Sequence, residues 1–389
     1  MGKLYHNKSV RIHGNASIPG QGPLEFHRRL PDYNVTPLIF ARKLAQRLGV
    51  ARVWVKDESN RLGLPAFKIL GASYAFYRTL MERTSFELEP WDTIEQLREK
   101  LTSLRPLTLV TATDGNHGRG VARVARLFWL HSKIFVPRGT VQARINAIES
   151  EGAEVIVVEG DYDEAVKAAA NEQDRNTWLI QDTAWPGYET IPRWIVEGYS
   201  TMFWEVHEQL KALKKPEPDV IVVQIGVGSL AAAVVQFYRG QGSSPAPRIV
   251  GVEPERAACA FESVKAGHMV SIPGPQTSVM AGLNCGTLSI IAWPLIRDGI
   301  DVFVAVDDER AFEAMRLLAE DGIISGESGA AGLAGYLELS EHDTTGSIRE
   351  KLGITESTRI LLISTEGATD PEMYHRIVGT HPNLGSERN

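Results

Sequence analysis

The chain has 389 residues, 43% of them hydrophobic, with 35 glycines and 20 prolines spread along it. This is the composition of a globular protein large enough for two domains, and no window approaches the run of about 20 apolar residues that a membrane span needs. A net charge of -7, from 48 acidic against 41 basic residues, argues against a nucleic-acid binder, which carries a basic face. The opening "MGKLYHNKSVRIHGN" lacks the apolar core of a signal peptide, so a cytoplasmic protein is expected. Cys259 and Cys285 have no CxxC spacing and no histidine pair nearby, so neither a disulfide framework nor a metal site is expected.

In chain order, the runs "ARVWVKD" (51–57), "LTLVTAT" (107–113), "KIFVPR" (133–138), "AEVIVVEG" (153–160) and "TWLIQD" (177–182) are predicted strands. So are "DVIVVQIG" (219–226), "RIVGVEPE" (248–255), "DVFVAVDD" (301–308) and "RILLIST" (359–365), with helical patterns between most of them. Near-continuous apolar strands separated by helices need cover on both faces. The fold class is therefore α/β, with two domains each built on a mostly parallel sheet flanked by helices. The charged stretch 81–106 marks a seam, and 208–219 reads as a connector into the next strand. The division expected is a large unit of residues 1–85 and 186–389 and a small unit of 86–185.

Ligands of such sheets sit beyond the carboxyl ends of the strands. After the first strand, "LPAFKILGASYAFY" sets Lys68 in apolar company at the head of a helical run. Burial disfavours an ammonium, so the expectation is a lowered pKa and a nucleophilic amine. The plain alternative is a lysine whose stem lies on the helix while its head stays in water. After the second strand, Thr113, Asp114, Gly115, Asn116 and His117 lead into a helix whose free N–H groups suit a carboxylate; Asp114 could simply cap that helix. The strand at 219–226 runs into Gly226, Val227, Gly228, Ser229 and Leu230, where two glycines admit a ligand to the backbone. There the helix start adds N–H donors and a dipole worth roughly 0.3–1 kcal/mol to an anion. The same letters fit G-x-G-x-x-A, and Glu253 falls where the ribose-binding acid of an NAD site would lie, so an NAD-dependent oxidoreductase is a rival reading. Further on, Glu327 in "GIISGESGAAGLAGY" precedes a small-residue helix and could serve only to complement its dipole. The last strand ends in Ser364, Thr365 and Glu366, where a hydroxyl can bond a heterocycle nitrogen or merely its own backbone.

Together these stretches resemble the fold-type II pyridoxal-phosphate enzymes over nearly the whole chain. Within that group "KDESNRLGLPAFKILG", "TATDGNHGRGVA", "QDTAWPGYETIPRWIVEGYSTM" and "STEGATD" are similar to the signatures of the diaminopropionate ammonia-lyase family. The resemblance implies pyridoxal 5′-phosphate as cofactor, carried by Lys68. Asn116 would meet its 3-hydroxyl, Gly226 to Leu230 its phosphate, and Ser364 or Thr365 its pyridine nitrogen, with Glu327 also at the cofactor. Thr113 to His117 would hold the substrate carboxylate. The implied reaction removes the β-amino group of D- or L-2,3-diaminopropionate as ammonia, and aminoacrylate then hydrolyses to pyruvate and a second ammonia. Lys68 and Asp114 are the implied bases on opposite faces, and Lys68, Asp114 or Asp182 the acid for the leaving amine. Serine or threonine dehydration is the alternative within the group, and a catalytically silent binding protein of the same fold the alternative outside it. A homodimer acting on a small amino acid is expected, with no nucleic-acid or membrane partner. Pro65 and the loop 282–287 depart from the family pattern and are expected near the substrate.

Overall fold

The computed structural model describes residues 2–11, 18–85, 87–113, 115–241, 245–342 and 346–382. The strands are β1 (Lys3–His6), β2 (Leu38–Phe40), β3 (Arg52–Asp57), β4 (Thr108–Ala112), β5 (His131–Pro137), β6 (Glu154–Val158), β7 (Thr177–Leu179), β8 (Val220–Gln224), β9 (Arg248–Pro254), β10 (Val302–Val306) and β11 (Arg359–Ser364). All nine apolar runs become strands. The two additions, β1 and β2, are four and three residues long and too short to show a pattern. They form two sheets, ordered β1-β10-β9-β8-β11-β3-β2 and β6-β5-β4-β7. Every pairing is parallel except at the two edges of the larger sheet, where β1 runs against β10 and β2 against β3.

The larger sheet buries both faces, as its continuous valine and isoleucine runs require. Helices Asp308–Glu320 and Glu327–His342 cover one face. On the other, helix Ile69–Arg83 packs along helix Thr190–Ala212 and also against helix Asn116–Leu127, which rests on the smaller sheet. Helix Ile69–Arg83 is buried at Ile69 through Tyr77 without a polar stripe, so it lies between the two sheets rather than on a surface. Its approach to helix Asn116–Leu127 depends on Gly120, since a Cβ there would stand 3.2 Å from the Ile69 backbone. That contact brings the head of one helix to the flank of the other, and with it Lys68 to the Asn116 turn. Among the described residues no helix is long and apolar enough to cross a membrane.

Candidate active site

A cleft of about 710 Å³ lies where the carboxyl ends of β4, β7, β8 and β11 converge on the head of helix Ile69–Arg83. It gathers Lys68, Thr113, Gly115, Asn116, His117, Asp182 and the whole run Gly226 to Leu230 in one wall-to-wall lining. These residues span more than 160 positions of sequence and meet because each closes a strand or opens a helix. Asp114 lies outside the described residues.

Lys68 occupies the N-cap of its helix, and its Nζ donates to Asp182 Oδ2 at 2.5 Å. Burial and the positive end of the helix both disfavour the ammonium, yet the Asp182 carboxylate outweighs them and raises the Lys68 pKa above the ordinary lysine value. This corrects the expectation of a lowered pKa, which treated the surroundings of Lys68 as apolar only. Asp182 is 3% exposed; burial pushes its pKa up, but the charge and hydrogen bond of Lys68 prevail and hold it down to about 2. Its position is fixed from three sides. Gln181, anchored through Oε1 by the Thr111 hydroxyl and the Ala112 N–H at 2.8 and 2.9 Å, donates to Asp182 Oδ1 at 3.3 Å. The Tyr162 hydroxyl stands 3.5 Å from the same oxygen, and Ser229 Oγ donates to the Asp182 backbone carbonyl at 2.7 Å.

His117 is buried and pairs Nε2 with the Ile180 carbonyl at 2.7 Å. That bond requires a hydrogen on Nε2, and burial lowers the pKa, so the ring is neutral with a bare Nδ1. Nδ1 lies 3.9 Å from Asp182 Oδ2 and has no hydrogen-bond partner among the described residues. Gln224, at the end of β8, is similarly incomplete. Its Nε2 donates to Ser328 O, Ile363 O and Thr365 Oγ1, each at 3.0 Å, while its buried Oε1 has no partner.

Two residues singled out from sequence do not line the cleft. Ser364 is buried behind it with Oγ bonded to Ser325 Oγ at 2.8 Å, and the next residue, Thr365, lines the wall instead. Glu327 faces an adjoining cavity of about 1030 Å³ beside Arg144 and Asp370, where burial and the nearby Glu366 push its pKa up to about 7. Of the departures noted at 65 and 282–287, Gly282, Leu283 and Cys285 reach the cleft and Pro65 does not. Tyr162, Gln224, Ser328 and Glu366 also line it without having been assigned a role. Gln224 and Glu366 were legible as the polar interruptions of "VIVVQIG" and "STEGATD"; Tyr162, in the first turn of a helix, gave no signal.

Glu253 settles the nucleotide question. It is 1% exposed, and its two carboxylate oxygens accept the Ala260 and Phe261 N–H groups at 2.8 and 2.7 Å. It holds a helix start and cannot reach a ribose, so the NAD reading loses its acid.

The lining fits pyridoxal phosphate. Gly228 has φ +97°, which a side chain would strain, and helix Ser229–Gly240 opens toward the cleft with its N–H groups. A Cβ on Gly226 would stand 3.1 Å from the Gly282 carbonyl and 3.3 Å from Cys285 Sγ, so the bare backbone is what lets this loop lie against residues 282–285. The lone amine of Lys68 stands in the same cleft, and the orphaned acceptors of His117 and Gln224 suit a ligand that brings hydrogen-bond donors.

Comparison with known proteins agrees. The model of the pyridoxal-phosphate dependent enzyme family matches residues 30–362. Diaminopropionate ammonia-lyase of Salmonella typhimurium strain LT2 is 39% identical over 380 residues, covering 94% of this chain and 93% of its own. The Escherichia coli K12 protein of the same name is 37% identical over 360 residues, covering 91% and 89%. The crystal structure of the E. coli lyase in complex with an aminoacrylate-PLP azomethine reaction intermediate superposes with a TM-score of 0.87 at 34% identity, over 97% of both chains. The chain belongs to the pyridoxal-phosphate dependent enzymes, in the diaminopropionate ammonia-lyase branch of that family.

Proposed function

We propose that this enzyme eliminates ammonia from both enantiomers of 2,3-diaminopropionate, giving pyruvate and two ammonia. The observation that carries the reading is the Lys68–Asp182 pair, 2.5 Å apart with Asp182 buried and Lys68 facing the cleft, in a cleft lined by the glycine loop. Pyridoxal phosphate supplies the electron sink that makes loss of an α-proton accessible. Lys68 carries it and, once released, accepts the α-proton on its own face; Asp114 serves the other face. The Gly226–Leu230 backbone and the start of helix Ser229–Gly240 hold the phosphate. Thr365 is the hydroxyl for the pyridine nitrogen, because Ser364 is committed to Ser325 behind the wall. The N–H groups at the start of helix Asn116–Leu127 hold the substrate carboxylate, with neutral His117 fixing the turn.

Ammonia leaves poorly unless protonated, so one group must hold a proton near the β-carbon. Lys68 becomes an ammonium on taking the α-proton, and Asp182 beside it stabilises that form and holds it in place, so Lys68 would be the acid and Asp182 its positioning partner. Residues 86–185 act as a small domain over the cofactor-bearing one, and the enzyme works as a cytoplasmic homodimer. The buried, unbridged Cys259 and Cys285 suit such a reducing compartment. The test is incubation with D- and L-2,3-diaminopropionate, measuring pyruvate and ammonia. A one-to-two ratio from both supports the reading; turnover of serine or threonine with none of diaminopropionate moves the enzyme to the dehydratases.

A further inference from the structure

Glu366 follows β11, is 3% exposed and lines the cleft. Its backbone forms a bridge with Ala66, and the flanking bonds Phe67 N–H to Thr365 O (3.2 Å) and Gly367 N–H to Pro65 O (2.9 Å) stitch this segment to the residues leading into Lys68. One carboxylate oxygen accepts the Ser328 N–H at 3.2 Å, and the other accepts Asn116 Nδ2. The fit is tight: a Cβ on Gly326 would stand 2.5 Å from the Gly367 carbonyl and 3.1 Å from Glu366 Oε1. One residue therefore ties three segments that frame the cleft, its backbone holding the approach to Lys68 and its side chain holding Asn116 and Ser328. Among the described residues two N–H donors hold this carboxylate and no cation pairs with it.

We propose that Glu366 is a positioning residue that fixes the Asn116 amide and, through it, sets the proton balance of the cofactor held on Lys68; this rests on pyridoxal phosphate occupying the cleft. An ionised carboxylate accepts and cannot donate. Turning the Asn116 amide over would set Oδ1 against Glu366 Oε2, two acceptors facing each other in a buried site, so Nδ2 must face Glu366. The amide oxygen and the second N–H are left for the cleft in one orientation. Hydrogen bonds to charged groups are roughly twice as strong as neutral ones, so this setting resists competition from a ligand. The charge also counts. Asp182, 2.5 Å from the Lys68 nitrogen, is the nearer negative charge, His117 is neutral, Tyr162 and Cys285 are the other titratable groups in the wall, and Glu327 faces the neighbouring cavity. Glu366 is the second carboxylate of the wall and adds to the effect of Asp182. It favours a proton on the nitrogen that Lys68 contributes to the cofactor.

The experiment is a pH titration of the visible absorbance of the holoenzyme without substrate, comparing wild type with Glu366→Gln. Gln offers one acceptor and one donor where the site needs two acceptors, so the Asn116 amide turns over and the charge is lost. The midpoint should fall by roughly one pH unit, the order expected for removing a neighbouring opposite charge, with cofactor content unchanged. An unmoved midpoint at full cofactor content overturns the proposal. If Glu366→Gln does not fold, Glu366→Ala decides: a midpoint that falls at full cofactor content supports the proposal, and an unmoved one overturns it. Failure of wild type to take up pyridoxal phosphate would instead count against the cofactor reading itself.

Discussion

Asp182→Asn keeps the shape of the side chain and removes the charge 2.5 Å from Lys68 Nζ. Breaking a buried ion pair by removing one partner costs about 3–5 kcal/mol, because the survivor is left uncompensated; Lys68, 19% exposed to the cleft, belongs at the low end of that range. Lys68 avoids most of that cost by releasing its proton. Burial and the helix start, which Asp182 now outweighs, then govern it, and the sequence-based expectation of a lowered lysine pKa should hold in the variant alone. At 1.36 kcal/mol per pH unit, a change of ~3 kcal/mol is roughly two units. The assay is the rate at which cofactor-free enzyme takes up pyridoxal phosphate, followed by absorbance across pH. The rising limb should move down by about two units in Asp182→Asn, and coincident profiles would refute the argument. Stability gives a second check with a definite sign. A depressed carboxylate contributes stability above its ordinary pKa of about 3.9 and loses it as pH falls through the folded value, here about 2. The stability gap between wild type and variant should therefore close between about pH 4 and 2.

Gly228→Ala places a Cβ 2.6 Å from Ile296 Cδ1 and 3.0 Å from the Ala292 Cβ at φ +97°. Overpacking of about 1–3 kcal/mol and left-handed strain of about 1–2 kcal/mol should lower Tm even without cofactor and weaken phosphate binding, both read by thermal unfolding with and without pyridoxal phosphate. Arg61→Met leaves Glu58 and Glu205, both wholly buried, with Lys56 as the remaining cation of the network. It should cost about 3–5 kcal/mol in denaturant unfolding, and a loss under 1 kcal/mol would mean the network relaxes freely. Asp114→Asn should lose roughly 10²–10⁴-fold on D-diaminopropionate and far less on the L form in steady-state kinetics, with equal losses counting against a face-specific base.

How much of this was legible in sequence follows from how local each signal is. Buried parallel strands show as unbroken valine and isoleucine runs, so β3 to β11 were readable, whereas β1 and β2 are short antiparallel edge strands, β1 pinned by β10 far along the chain and β2 by the neighbouring β3. The glycine loop and the Asn116 turn were readable because a strand end, a tight turn and a helix start are consecutive in sequence. The Lys68 environment was not. Its partner is 114 positions away, and only folding shows that an apolar neighbourhood in sequence is a carboxylate neighbourhood in space. Ser364 and Thr365 illustrate the finer limit: strand alternation sends adjacent side chains to opposite sides, and sequence left both open where the structure turns Ser364 to Ser325 and Thr365 to the cleft. Glu366 shows no role in sequence because its meaning lies in Asn116 and Ser328, each from another segment.

The central claim is that Lys68 carries pyridoxal phosphate in the cleft closed by the Gly226–Leu230 loop. Borohydride reduction of the yellow holoenzyme, followed by proteolysis and mass mapping, tests it directly. One reduced pyridoxyl phosphate adduct per chain is expected, on the peptide containing Lys68, and none in Lys68→Ala. An adduct on any other lysine, or an unlabelled wild-type chain, would contradict it.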